Sequence, residues 1–236
     1  MNSKKKILLE IIIVEFLIIV AVSVSFIPTL YYLSLASDTK VFPLIHNNHP
    51  DYYFYLSLMR QGFEGKWLVV SRFTPEQFPP QFVQTFFILL GHLSRITSIS
   101  LPLIYTLSRL VLGIAVGVAT YFLLVVFDKR RIVCIVGLIF VLFGSSFWFV
   151  KDRQIYQFMT FWTAFDARER TTFLPHHLLG TLAIITSIIF LTLFFKFGKK
   201  KFFVTASIAG FIGTFVNPKI LANYFFALIL FLVLFI

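Results

Sequence analysis

Long apolar runs separated by polar stretches dominate the chain. A bilayer core about 30 Å thick needs about 20 predominantly apolar residues for each crossing helix. On that measure the pattern predicts six membrane-spanning helices, at residues 7–28, 101–127, 132–150, 174–195, 202–216 and 220–236. The hydrophobic fraction of 58%, the charged fraction of 13% and the mean hydropathy of +0.89 agree with this pattern. The sequence therefore predicts an all-α polytopic membrane protein.

A short apolar segment at residues 81–94 decides the predicted topology, because counting it as a crossing would reverse everything after it. Gln84 and His92 interrupt the segment. Three basic clusters stand against span ends, and short clusters of this kind prefer the cytoplasm: Lys4-Lys5-Lys6, Lys129-Arg130-Arg131, and Lys196 with Lys199-Lys200-Lys201. All three share one side when residues 81–94 lie in the outer interface. We therefore predict a cytoplasmic N-terminus and two extracytoplasmic stretches, at residues 38–100 and 151–173.

The formal net charge of +11 does not indicate a nucleic-acid partner. No basic, aromatic-interleaved soluble surface is present in the sequence to bind one. Topology signals and contact with anionic membrane lipids account for the excess charge. No repeat or flexible linker divides the chain, so we predict one transmembrane domain over residues 1–236. Because residue 236 ends an apolar run without a charged flank, we expect this domain to continue in a longer protein.

The polar, aromatic-rich stretch at residues 38–78 is too long for a passive connection between two helices. Pro50 fits the start of a helix, and Gly62 and Gly65 fit its end, which predicts a helix over residues 50–61. Four residues fall on one face of it: Tyr52, Tyr55, Leu56 and Met59. Since tyrosines favour the headgroup boundary, we expect this helix to lie along the membrane surface.

Asp51 occupies the first turn of this predicted helix. A helix N-terminus favours a negative side chain, and a carboxylate held there can accept a proton or bind a cation. The same residue could also be a helix-terminal charge with no catalytic role. His49 and Asp51 are candidates for a divalent-metal site, although no ligand spacing in the sequence matches an established zinc pattern.

The second polar stretch runs directly into a predicted span. Pro175 fits the helix start with Thr171 or Thr172 as its cap, which aims the helix N-terminus outward. Helix N-termini attract anions, and guanidinium groups pair bidentately with phosphate oxygens. Four basic residues here are candidates for phosphate contacts: Arg168, Arg170, His176 and His177. The alternatives are interfacial snorkelling by the arginines and simple packing by the histidines.

Three charged side chains fall within predicted spans. Arg109 either extends outward to the lipid headgroups or contacts Asp51 or the phosphate of a bound lipid. Glu10 is expected to pair near the interface, and Glu15 to hydrogen-bond across the bundle. Such carboxylates also serve as proton relays, so a transporter or lipid flippase is one alternative function. A non-catalytic membrane subunit, which needs only the spans, is another.

Several of these features follow one order along the first 200 residues. After the first span come Asp51-Tyr52-Tyr53, then Gly65-Lys66-Trp67 and a group of prolines. An interfacial segment then ends in Leu89-Leu90-Gly91-His92-Leu93, and Ser108-Arg109-Leu110 opens the next span. In this order the chain resembles the GT-C superfamily of integral-membrane glycosyltransferases.

The resemblance implies an enzyme that moves a sugar from a polyprenyl-phosphate-linked donor to a glycan, lipid or protein acceptor. The reaction would take place at the extracytoplasmic face of a bacterial-type plasma membrane. Asp51 takes the position of the catalytic base or metal-associated acid, although many members carry paired acids there. The basic residues around His176 and His177, with Arg109, would bind the donor phosphate. Our working hypothesis is inverting transfer with Asp51 as the general base.

Overall fold

The computed structural model describes residues 3–45, 49–73, 75–76, 78–82, 84–144, 148–157 and 170–217, with residues 222, 226 and 229. Seven helices lie in the continuous ranges: α1 (Ser3–Ser34), α2 (His49–Phe63), α3 (Thr85–Thr97), α4 (Leu101–Phe127), α5 (Arg131–Phe143), α6 (Pro175–Phe197) and α7 (Lys200–Val216). The predicted helical architecture is confirmed. The sequence did not predict a short antiparallel hairpin of β1 (Trp148–Lys151) and β2 (Gln154–Gln157), because four-residue strands leave too little alternation to detect.

Three helices of the described chain, α1, α4 and α6, are long and apolar enough to cross a membrane. The prediction of a span at residues 132–150 was wrong at its C-terminal end, because α5 stops at Phe143 and residues 148–151 form a strand. Thirteen residues of helix cover only about 20 Å. The seventeen residues of α7 cover about 25 Å. The sixth predicted span, at residues 220–236, lies outside the continuously described residues.

The inner faces of α1, α4 and α5 share a buried cluster. Its members are mainly aliphatic: Val14, Ile18, Ala21, Val22, Tyr121, Cys134, Leu138 and Leu142. Near the N-terminus of α1, Glu10 accepts hydrogen bonds from the Tyr121 hydroxyl and the Arg131 guanidinium. The predicted pairing of Glu10 is therefore confirmed. These contacts hold the N-terminal turns of α1 beside the connection between α4 and α5, so the basic residues 4–6 and 129–131 share one end of the bundle.

Glu15 does not hydrogen-bond across the bundle as predicted. It is exposed, and the structure shows no hydrogen bond or ion pair between it and any described residue. Its neighbours Val14 and Ile18 occupy the inward face of α1. Since successive helical residues are about 100° apart, Glu15 is turned away from α4 and α5.

At the opposite end, α2 and α3 cross closely and pack on the start of α4. A methyl group added to Gly91 of α3 would lie 2.0 Å from the Met59 carbonyl oxygen of α2, so only glycine allows this crossing. Tyr52, Tyr55 and Met59 are buried against α3 and α4. The expectation that this tyrosine face meets the headgroups was wrong, because the face covers protein core instead.

The second predicted interfacial segment also differs in its bounds. It was expected at residues 81–94, but α3 begins at Thr85 and ends at Thr97. Gln81 instead pairs with Val69 as an isolated bridge, and Gln84 adopts a left-handed conformation with φ 57°. The thirteen residues of α3 span about 20 Å, which is less than the thickness of the hydrocarbon core. Sequence alone could not place the start, because Phe82 continues the apolar pattern.

Candidate functional site

An open cleft of ≈ 740 Å³ lies where the first turns of α2 and α6 meet the end of α7. Asp51 from α2, His176 and His177 from α6, and Asn217 after α7 line it. Further lining residues come from α2, from the segments before α3 and α6, and from α7: Tyr55, Phe82, Gln84, Leu174, Thr214, Phe215 and Val216. Three of the residues predicted from sequence therefore line one cleft, although more than 120 positions separate Asp51 from the histidines.

Asp51 is exposed in this cleft, in the first turn of α2. One helical turn later, the Tyr55 hydroxyl lies 3.5 Å from His176 Nε2, a long contact. The Tyr55 ring also stacks on Phe87, with the ring centroids 4.2 Å apart. Tyr55 therefore joins the carboxylate side of the cleft to its imidazole side.

Burial raises the pKa of the Tyr55 hydroxyl to about 12, and the negative charge of Asp51 adds to this effect. Burial likewise raises the pKa of Tyr52 to about 12, helped by Tyr53 and opposed by Arg109. Tyr52 donates a hydrogen bond of 2.6 Å to the Pro43 carbonyl, which anchors the segment that precedes α2. Both phenols therefore stay protonated at neutral pH.

Because the pKa values of Tyr52 and Tyr55 are raised, we expect a late ionisation step when tyrosine absorbance is followed in an alkaline titration. An ordinary unfolded tyrosine ionises near pH 10. Because the folded pKa of Tyr52 and Tyr55 is raised, their stabilising effect is complete below pH 10 and is lost as the pH rises towards 12. Tyr55→Phe should reduce the absorbance change at 295 nm near pH 12 and leave earlier ionisations unchanged. An unaltered late step in that variant would contradict the assignment.

The two histidines have different surroundings. The buried His176 packs its ring against Tyr55 and Phe87. Asn217 Nδ2 donates to His177 Nδ1 across 3.1 Å. A neutral His177 that accepts at Nδ1 carries its proton on Nε2. His177 is thus held by the end of α7 as a hydrogen-bond donor.

The sequence did not identify Asn217 as a residue of the cleft. The available signal was an Asn-Pro pair directly after an apolar run, at residues 217–218. Such a pair marks the end of a helix. It does not reveal that the amide reaches back to a histidine 40 positions earlier.

The backbone before the histidines is held by buried polar contacts with α1 and α4. Thr171 Oγ1 is 2.6 Å from Ser25 Oγ and donates to the Ala21 carbonyl at 3.2 Å. The expected threonine cap was wrong: α6 begins after Leu174 and has no side-chain cap, because these α1 contacts engage the Thr171 hydroxyl.

Arg109 is part of the same anchor. Its Nε donates to the Thr172 carbonyl at 2.6 Å, and its guanidinium carbon lies 5.9 Å from the Phe26 ring centroid. With 3% of its surface exposed, Arg109 does not extend to the lipid headgroups. It is not among the residues lining the cleft, so it acts on the histidines through the backbone that precedes them.

Of the two other arginines predicted to bind phosphate, the structure describes Arg170. Arg170 donates to the carbonyls of Val141 at 2.6 Å and Gly144 at 2.8 Å, so it caps the C-terminal end of α5. Arg168 lies outside the described residues. A phosphate contact by either residue stays a prediction.

His49 and Asp51 are the metal ligands predicted from the sequence. The side chain of His49 lies outside the described part of the molecule. Among the described residues, no three histidine, cysteine, aspartate or glutamate side chains are grouped to hold a metal ion. Asp51 is the candidate ligand whose side chain is described, and a divalent cation at this position stays a prediction.

Comparison with known proteins adds no family to this description. No family model matches the chain, and no curated protein or solved structure is significantly similar to it.

Proposed function

We propose that the cleft is the active site of a membrane glycosyltransferase that uses a polyprenyl-phosphate-linked sugar. The observation that carries the proposal is the meeting of Asp51, His176 and His177 in one open cleft. Glycosyl transfer from a lipid phosphate needs a base for the acceptor and hydrogen-bond donors for the departing phosphate. An exposed carboxylate on one wall and imidazoles on the other supply both kinds of group.

In the proposed reaction, Asp51 removes the proton from an acceptor hydroxyl as that oxygen attacks the anomeric carbon of the sugar. The bond between the anomeric carbon and the phosphate oxygen breaks, and its electron pair leaves with the polyprenyl phosphate. Attack from the side opposite the phosphate inverts the anomeric configuration. A carboxylate suits this role because it is ionised at neutral pH and ready to accept a proton.

The departing phosphate belongs on the α6 side of the cleft. His177 offers its Nε2–H as a donor, because Asn217 occupies Nδ1. His176 lies beside the Tyr55 hydroxyl. The N-terminus of α6 adds a partial positive charge there. We propose that Arg168 and Arg170 bind the donor phosphate as it enters the cleft. Donors that are already positioned stabilise developing charge without reorganisation.

We assign the cleft to the extracytoplasmic side of a bacterial-type plasma membrane. Support comes from the opposite end of the bundle, where Glu10 and Arg131 bring two of the basic clusters together. Short basic clusters favour the cytoplasm. The donor, whose chain is a membrane lipid, would then reach the cleft from the outer leaflet.

A transfer assay distinguishes this function from a transporter and from a non-catalytic subunit. Membrane vesicles containing the full chain receive donors with a radiolabelled hexose or pentose on polyprenyl phosphate. We expect label to pass into a glycan, lipid or protein acceptor, in amounts that follow the quantity of the chain. Movement of intact donor between leaflets without transfer would indicate a transporter or flippase. If neither process depends on the chain, it is a non-catalytic subunit.

A further inference from the structure

A second cleft, of ≈ 430 Å³, lies away from the Asp51 cleft, where α3 ends and α4 begins. Arg60 of α2 and Arg95 of α3 line it. Serine hydroxyls and apolar side chains supply the rest of its wall: Phe63, Ser94, Ser98, Ile99, Ser100, Leu101 and Pro102. None of these residues lines the Asp51 cleft, so the two clefts are separate sites.

Arg60, which lines this second cleft, belongs to a basic group of side chains around Glu64. The Glu64 carboxylate accepts hydrogen bonds from Arg60 Nε at 2.9 Å and from Arg72 Nη2 at 3.4 Å. Lys66 is close enough to help lower the pKa of that carboxyl, behind the larger effect of the Arg60 hydrogen bond. Three cations therefore surround one carboxylate. Arg95 adds a further positive charge to the wall of the cleft, so the cleft suits an anion.

Arg95 is a cation of the cleft wall that no ion pair holds within the described part of the chain. The structure shows no hydrogen bond or ion pair between its guanidinium and any described residue. The guanidinium lies over the turn after α2, since a methyl group on Gly65 would be 2.8 Å from Arg95 Nη1. Gly65 has φ +92° and no side chain, and it therefore gives Arg95 room beside the cleft.

An apolar stripe runs along α3 to this cleft. Leu89, Leu93 and Ile96 are all exposed, at helical spacings of four and three residues. Ile96, the neighbour of Arg95, has 81% of its surface exposed. A helix that presents apolar side chains beside arginines fits the membrane interface, where acyl chains meet phosphates.

We propose that this cleft binds the phosphate headgroup of an anionic phospholipid, with its acyl chains against the α3 stripe. Arg95 contacts the phosphate directly, Arg60 adds charge, and the N-terminus of α4 contributes its partial positive end. The inference goes beyond the proposed function, because the lipid is neither donor nor acceptor. It also gives a role to basic residues that sequence-based topology places on the outer side.

Lipid binding to the purified full chain tests the proposal without any activity measurement. Mixed detergent micelles contain either phosphatidylglycerol or phosphatidylcholine, and native mass spectrometry counts the lipids retained. We expect a preference for phosphatidylglycerol that Arg95→Gln lowers about fivefold, the effect of one arginine near anionic lipid. Arg153→Gln, which removes the same charge from the exposed turn of the hairpin, should keep the preference.

Further arms keep the outcome decisive. Melting in phosphatidylcholine verifies that Arg95→Gln is folded, and Arg95→Glu should abolish the preference if the glutamine variant weakens it only slightly. An unchanged preference in the folded Arg95 variants would overturn the proposal. So would displacement of the lipid by millimolar inorganic phosphate, which would identify a site for free phosphate.

Discussion

Gly113→Ala is expected to lower the free energy of unfolding by about 2–3 kcal/mol, the cost of overpacking a buried contact. The added methyl would lie 2.0 Å from the Thr171 carbonyl oxygen. That backbone cannot move away freely, because Ser25 and Ala21 hold Thr171 and Arg109 holds its neighbour. The variant should also reduce the proposed transfer activity, since this segment sets the position of the cleft histidines.

Gly137→Ala is the matched control, because it adds the same methyl to another helix. There the methyl would lie 3.3 Å from the ends of the Leu124 side chain, which can rotate. Alanine favours a helix over glycine by about 1 kcal/mol, so this control should be neutral or slightly stabilising. Unfolding by dodecyl sulfate in mixed micelles measures both variants. Equal free energies for the two would contradict the close contact between α4 and the Thr171 backbone.

The sequence predicted those elements whose signal is local. The Pro50 start of α2, the long apolar helices α1, α4 and α6, and the C-terminal end of α7 follow from spacing and punctuation. The end of α5 was missed, because Val150 and its neighbours continue an apolar run that the chain uses for a strand. Apolar content alone does not distinguish a helix end from a buried or hairpin segment.

The site was predictable in part for a similar reason. Asp51, His176 and His177 were identified because each stands at a helix start marked by proline. Their meeting in one cleft depends on how α2, α6 and α7 pack, which no local pattern encodes. Arg109 shows the limit most clearly, since its intramembrane charge suggested a lipid or a ligand. In the structure its Nε instead donates to a backbone carbonyl 63 positions later.

The largest effect is expected for Asp51→Asn, which keeps the shape of the side chain and removes its capacity to accept a proton. General-base catalysis contributes about 10²–10⁴-fold to rate, so transfer should fall by that factor. Folding should be preserved because Asp51 is exposed and asparagine is also accepted near helix starts. Asp38→Asn is the matched control, an exposed acid of the same polar stretch that lies outside the cleft.

The most direct measurement is the initial rate of label transfer from radiolabelled polyprenyl-phosphate sugar, in vesicles that contain equal amounts of each variant. With Asp51 as the general base, Asp51→Asn loses about 10²–10⁴-fold in rate and Asp38→Asn retains the unmodified rate. Melting curves and the level of membrane insertion should match for all three proteins. An undiminished rate in Asp51→Asn would contradict the assignment of this cleft as the catalytic site.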